Sequence, residues 1–422
     1  MLTQYPRLGD SLYRSRLENG LTVLVVPRPG FTKTLAYFAT DFGSVHTEFT
    51  LNGEAVQVPA GIAHFLEHKL FELPDRDVSA EFAALGANIN AFTSYDMTAY
   101  YVLATQDFPK CLKLLLEFVS TPYFTDETVE KELGIIDQEI GMHTDSPDSR
   151  IFENLMGTMF SQFPIYQPIL GTEESIRRIT PQLLHTCHRA FYTPANMVLC
   201  VVGDVVPEEI ETIAREVLGT EYKAPAIKTT PEEISDLCGK PFLRDKMEVA
   251  MPTFLLGFKA GPLQRGEDGI RREVIGDLAA EALFGESSEL YLKLYGEGLI
   301  DGSFGGGFEI ADSHAMLVVG GDSDDPEAVR DAILAQAEKL SQTIIPEDAF
   351  LRMKRSAMGR RIRDLDSFDS TCFRLCAYAL SDFNYFRFPE IYEQIKREDV
   401  HQFFIQLTDP DRWTLSVIEP VD

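Results

Sequence analysis

Residues 64–68 read His-Phe-Leu-Glu-His, and this short pattern dictates more about the architecture than any other stretch of the chain. On an α-helix His64 and His68 stand at i and i+4, so both imidazoles leave one face and can share a divalent ion such as Zn²⁺. Glu67, at i+3 from His64, emerges on the same side, close enough to take a proton from activated water without ligating the metal. A catalytic zinc holds three protein ligands and keeps one position open. Two histidines one turn apart supply only two of them. The fold must therefore carry a third donor from a remote segment to this helix, which begins after the Pro-Ala-Gly turn at 59–61.

The best source of that donor is the segment 127–140. Val129, Leu133, Ile136 and Ile140 recur at helical spacing and predict an amphipathic helix with a buried stripe. Glu132 and Glu139 are seven residues apart, about two turns, and share a face flanking the stripe. Glu139 is assigned as the ligand, and Glu132 as the carboxylate that orients a metal-binding histidine. His143, four residues beyond Glu139, stays open as a competing ligand. Upstream, Asn90-Ala91-Phe92-Thr93 follows a Gly-rich turn and runs into alternation through Thr98, Tyr100 and Val102, which predicts strands near the metal helix. The first of these is either an internal strand or an exposed edge able to pair with an extended peptide.

The H-F-L-E-H motif, with the E-L-G-I-I-D-Q-E helix downstream, resembles the insulinase/pitrilysin-type zinc peptidases (the inverzincins). That family includes the mitochondrial processing peptidase and bacterial homologues of similar length. The resemblance extends through 86–93, 161–172, 191–198 and 202–204. It implies a zinc endopeptidase with one Zn²⁺ per chain, held by His64, His68 and Glu139, with Glu67 as general base and Glu132 as the family's second acid. It also implies that Asn90, Ala91 and Phe92 hold a peptide substrate as an extended strand in a closed chamber.

With 422 residues, 45% of them hydrophobic, the chain can build two domains of ordinary size. Its segments repeat. Strands at 22–26 and 35–40, the motif helix, strands within 90–104, helices near 107–120 and 127–142 and a strand at 198–202 make one set. A strand at 254–259, a helix at 273–283, strands at 303–307 and 315–320 and a helix at 326–340 follow the same order. The helix at 346–360 then mirrors 125–139. The fold class is α+β: two homologous α/β domains from an internal duplication, each an antiparallel-rich mixed sheet covered by helices. The zinc-bearing domain is placed at 1–225, the linker at 226–240 and the non-zinc domain at 241–422. The second copy lacks the histidine motif, and Lys354, Arg355, Arg360 and Arg361 stand where the first copy has acids. The glycines 305–307 read as a flexible turn or a close backbone approach.

A formal net charge of −28 excludes a nucleic-acid binder working through a basic surface. No apolar run reaches transmembrane length and the N-terminus carries no signal-peptide pattern, so no membrane partner is expected. The six cysteines include no C-x-x-C pair, and Cys372 and Cys376 read as packed thiols, which fits a cytoplasmic protein.

One departure from the family pattern bears on partners. Self-sufficient two-domain members carry an Arg and a Tyr in a segment like R-G-L-A-Y, which clamp the substrate carbonyl. The corresponding positions here are Glu297 and Asp301, and an ionised acid cannot donate to an oxyanion. A dimer is expected, in particular a heterodimer with a zinc-less homologous subunit that supplies the Arg/Tyr clamp. A non-catalytic core subunit of the same fold, or a maturation protease dedicated to one precursor, are the alternatives.

Overall fold

The computed structural model describes residues 1–74, 76–160, 165–222, 227–229, 235, 237–239 and 242–421. Residues 161–164 of the matched segment 161–172, and residues 226, 230–234, 236 and 240 of the expected linker, lie outside them. The chain forms two compact units. One comprises Met1–Ile140, Pro168–Thr230 and Ile362–Arg387. The other comprises Gly141–Gln167, Pro231–Arg361 and Phe388–Asp422. Each unit thus draws one segment from across the 226–240 region.

Among the described residues the first unit is built on a seven-stranded sheet ordered Leu2–Tyr5, Asp10–Arg16, Thr22–Pro27, Met197–Gly203, Thr34–Thr40, Thr98–Ala104 and Asn88–Thr93. Only the pairing of Met197–Gly203 with Thr22–Pro27 is parallel. The strands Thr34–Thr40 and Met197–Gly203 are buried at every residue. They read T-L-A-Y-F-A-T and M-V-L-C-V-V-G, near-continuous apolar runs rather than an in/out alternation, because helices cover both faces. Phe108–Ser120 packs against Thr34–Thr40 and Thr98–Ala104, while Phe368–Leu380 packs against Thr34–Thr40 and Met197–Gly203. Cys372 and Cys376 lie on that second helix and are buried, as packed thiols should be.

The second unit repeats the last five strands of that order. Phe242–Met247, Trp413–Pro420, Thr253–Pro262, His314–Asp322 and Gly305–Ala311 pair in that order, again with only the first pair parallel. Here Pro147–Met159 packs against the strands Trp413–Pro420 and Thr253–Pro262. The α+β reading with two like domains therefore holds, and the helix after each acidic-helix position packs within the other unit's membership. The glycines 305–307 are strand residues, not a turn. A side chain on Gly306 would run into the Val318 carbonyl of the neighbouring strand, so close backbone approach is what requires glycine there.

Candidate metal centre

The motif helix is Ile62–Leu70. Ile62, Ala63, Phe65, Leu66 and Leu70 enter the core of the first unit, which leaves His64, Glu67 and His68 to share the remaining face. Gly61 starts the helix at φ 86°, a left-handed conformation, and a Cβ there would strike the Leu170 carbonyl. Only glycine lets the chain turn into the helix at this point.

The helix Asp126–Thr144 brings the third donor. His64 Nε2 lies 3.7 Å from Glu139 Oε1, and His68 Nε2 lies 3.6 Å from Glu139 Oε2. The two imidazole centroids are 4.6 Å apart. Among the described residues, His64, His68 and Glu139 form the grouping whose donor atoms all lie within 4.8 Å of one another. Donors about 2.0–2.2 Å from a tetrahedral zinc stand roughly 3.3–3.6 Å from each other. The residues present therefore fit such an ion closely. His143 is outside the grouping, and its Nδ1 lies 4.0 Å from Glu153.

Glu132 sits within the buried stripe of its helix rather than beside it, alongside Val129, Ile136 and Ile140. A buried carboxylate needs partners, and it has two. His68 Nδ1 lies 3.1 Å from Glu132 Oε1, and Lys69 Nζ lies 3.6 Å from Oε2. Burial pushes the Glu132 carboxyl up, but the His68 hydrogen bond and the charges of Lys69 and His68 outweigh it and hold the group below its ordinary range. His68 moves the other way. Burial disfavours its cation, yet the Glu132 hydrogen bond and the charges of Glu67, Glu132 and Glu139 prevail and raise it.

Glu67 is buried, and its Oε2 accepts a 2.5 Å hydrogen bond from the Thr93 hydroxyl. Burial pushes its pKa up to about 6, partly opposed by Thr93 and His68 and aided by Glu139. A carboxyl poised near neutrality is suited to accept and return a proton. Thr93 ends the strand Asn88–Thr93, the last of its sheet, whose outer edge pairs with no strand among the described residues. Ile89 and Ala91 line a cavity of about 750 Å³ with Glu67, His68, Phe71 and Lys131. Asn90 also borders it and accepts from the Ala91 N–H at 2.9 Å. The Phe92 ring turns to the other face of the sheet, 5.7 Å from Phe373 and 6.2 Å from Tyr37. Whatever Phe92 offers a peptide is its backbone edge.

Two neighbours of the site, Lys69 and Thr93, escaped the sequence reading. Thr93 was visible only as part of a strand. Lys69 has a signal: it follows Phe65 and Leu66 at i+4 and i+3, a charge on an apolar helix face. In the second unit, helix Glu267–Phe284 holds the motif helix's place in the element order and Glu347–Asp364 that of the acidic helix. There Glu273 and Asp277, again i,i+4, meet Arg361, whose guanidinium lies 2.6 Å from Glu273 and in contact with Asp277. Where the first unit gathers donors for a cation, the second carries its own. Asp301, at the expected clamp position, accepts from the Ser303 N–H at 2.8 Å and its hydroxyl at 2.6 Å, holding a local turn.

Known proteins resemble this chain in sequence and in fold. Residues 56–173 match the family model described as Insulinase (Peptidase family M16), and 178–357 match that of the Peptidase M16 inactive domain. An uncharacterized zinc protease of Bacillus subtilis (strain 168), YmfH, is 38% identical over 422 residues, covering 99% of this chain and 98% of its own. An M16-like peptidase from Alicyclobacillus acidocaldarius superposes with a TM-score of 0.94 at 34% identity, over 98% of this chain and 99% of that one. A Helicobacter pylori protease shares the fold, with a TM-score of 0.83 at 19% identity over 97% and 99% of the two chains.

Proposed function

This chain belongs to the insulinase-type M16 family of zinc proteases, and on that premise we propose that it is a zinc-dependent endopeptidase with its active centre at His64, His68, Glu139 and Glu67. The observation that carries the proposal is the convergence of two imidazoles and a carboxylate from a remote helix, with Glu67 on the same face. His64 and His68 would hold zinc through Nε2 and Glu139 through its carboxylate. When bound, the ion supplies Lewis acidity, polarising a peptide carbonyl and making water acidic near neutral pH.

The remaining work falls to the protein. Glu67 accepts a proton from water at its carboxylate and returns it to the departing amine. Thr93 fixes Oε2 of that carboxylate by its hydroxyl. Glu132 accepts from His68 Nδ1, which leaves Nε2 with a lone pair for the metal. The free edge of Asn88–Thr93 offers backbone groups to an extended peptide, with Asn90, Ala91 and Phe92 as the pairing residues. Backbone pairing gives affinity with little demand on side chains. Among the described residues no helix is long and apolar enough to cross a membrane. The six free cysteines, most of them buried, support our proposal of a cytoplasmic location.

We further propose that the enzyme works as a dimer. With Glu297 and Asp301 at the clamp positions, a zinc-less homologous partner is the natural source of an Arg/Tyr pair. The test is hydrolysis of a mixed peptide pool by the purified chain, before and after chelation and zinc readdition. Cleavage that a chelator abolishes and zinc restores supports the peptidase, and the absence of any cleavage with or without a homologous partner refutes it. Vigorous turnover by the chain alone would rule out the heterodimer and leave the peptidase standing.

A further inference from the structure

Lys69 follows the second motif histidine, and its side chain is 0% exposed. An ammonium taken out of water is tolerated only beside compensating charge. Two carboxylates provide it. Glu72 contacts Lys69 Nζ from a side that is 31% exposed and also lies 3.8 Å from the exposed Lys131. Glu132, with a side chain only 10% exposed, lies 3.6 Å from the same Nζ. The inward partner of the buried lysine is therefore the carboxylate that accepts from His68.

We propose that Lys69 is a positioning residue for the metal site: by holding Oε2 of Glu132 it fixes the carboxylate whose Oε1 receives the His68 Nδ1–H, and so keeps Nε2 free to ligate. A carboxylate anchored at one oxygen can rotate about its last two torsions. Anchored at both oxygens, by groups on successive residues of one rigid helix, it cannot. His68 and Lys69 are those successive residues, and Ile62–Leu70 is that helix. An ionised carboxylate only accepts hydrogen bonds, so the Glu132 contact fixes the imidazole proton on Nδ1. A neutral side chain at 69 releases Oε2 and weakens that control. The proposal rests on the zinc reading above and adds a residue that does not touch the metal.

The experiment is zinc affinity, by competition with a chromophoric chelator, of the full chain and of Lys69→Met, Glu132→Gln and the double variant. The expected loss for Lys69→Met is about tenfold, the lower end of the range for groups that orient ligands. The double variant should bind no more weakly than Glu132→Gln alone, because Lys69 acts through that carboxylate. Should Lys69→Met fail to fold, Lys69→Gln, which is polar but neutral and too short to bring a charge to Glu132 Oε2, must show the same tenfold loss. The ¹⁵N shifts of His68 in the metal-free variant should show protonation spreading from Nδ1 to Nε2, which a merely structural role would not cause. Unchanged affinity, or a loss that adds in full to that of Glu132→Gln, overturns the proposal. A parent chain that binds no zinc instead refutes the zinc reading, so the two failures are distinct.

Discussion

Replacing Glu67 by Gln should move activity and stability in opposite directions. Gln has the same shape, and its amide oxygen still accepts from the Thr93 hydroxyl, so the local packing is kept. It cannot take a proton from water. Loss of a positioned general base costs about 10²–10⁴-fold in rate, or about 2.7–5.4 kcal/mol of transition-state stabilisation. The stability term follows from burial. The Glu67 carboxyl, ordinarily near 4.5, is raised to about 6 in the fold. A raised acid favours the fold below its unfolded value, and that advantage is lost as pH rises through the folded value. Above about pH 6 the folded chain therefore carries a charge it would rather not bury, at a cost of about 2 kcal/mol for a shift of this size. Glu67→Gln removes that cost. Thermal melting of chelator-treated protein should show the variant at least as stable as the parent at pH 5 and more stable at pH 8. Parent hydrolysis should fall as the pH drops from 7 to 5 and the base protonates. A Gln variant that cleaves peptides within tenfold of the parent, or that melts below it at pH 8, would refute the reasoning.

Further outcomes follow from the same geometry. Thr93→Val should retain zinc and lower kcat about tenfold by removing a hydrogen bond to a charged group, while Thr93→Ser restores it; steady-state kinetics decide. His188 is buried, donates from Nε2 to the Val119 carbonyl at 2.9 Å, and is lowered by burial to about 4. Because the unfolded chain takes up this proton first, stability should drop by about 3 kcal/mol between pH 6.5 and pH 4. His188→Gln should flatten that slope in denaturant titrations followed across the pH range, and an unaltered slope would exclude His188 as its source.

The motif helix, the acidic helix and the repeat were legible because each rests on local periodicity or fixed spacing. That His64 and His68 share a face was legible because helical geometry decides it, but that geometry left Glu139 and His143 both open as the third donor, and the structure brings Glu139 to the histidines. Glu132 was assigned a supporting role beside the apolar stripe, yet it lies inside it. Periodicity counts apolar residues and cannot register a buried acid whose partner, Lys69, comes from another helix. The memberships of Pro147–Met159 and Phe368–Leu380 were not legible at all. Each is an ordinary amphipathic helix, and nothing local says which sheet its apolar face will cover. The glycines 305–307 read as either a turn or a close backbone approach because composition reports only permissiveness, and the structure decides for close approach at Gly306, against the Val318 backbone on the adjacent strand.

Elemental analysis of the purified chain tests the central claim most directly. The account predicts one zinc per chain in the parent and in Glu67→Gln, and none retained after dialysis in His64→Ala or His68→Ala. A parent chain that binds no zinc when supplied with it, or a His64→Ala variant that keeps a full equivalent, would contradict it.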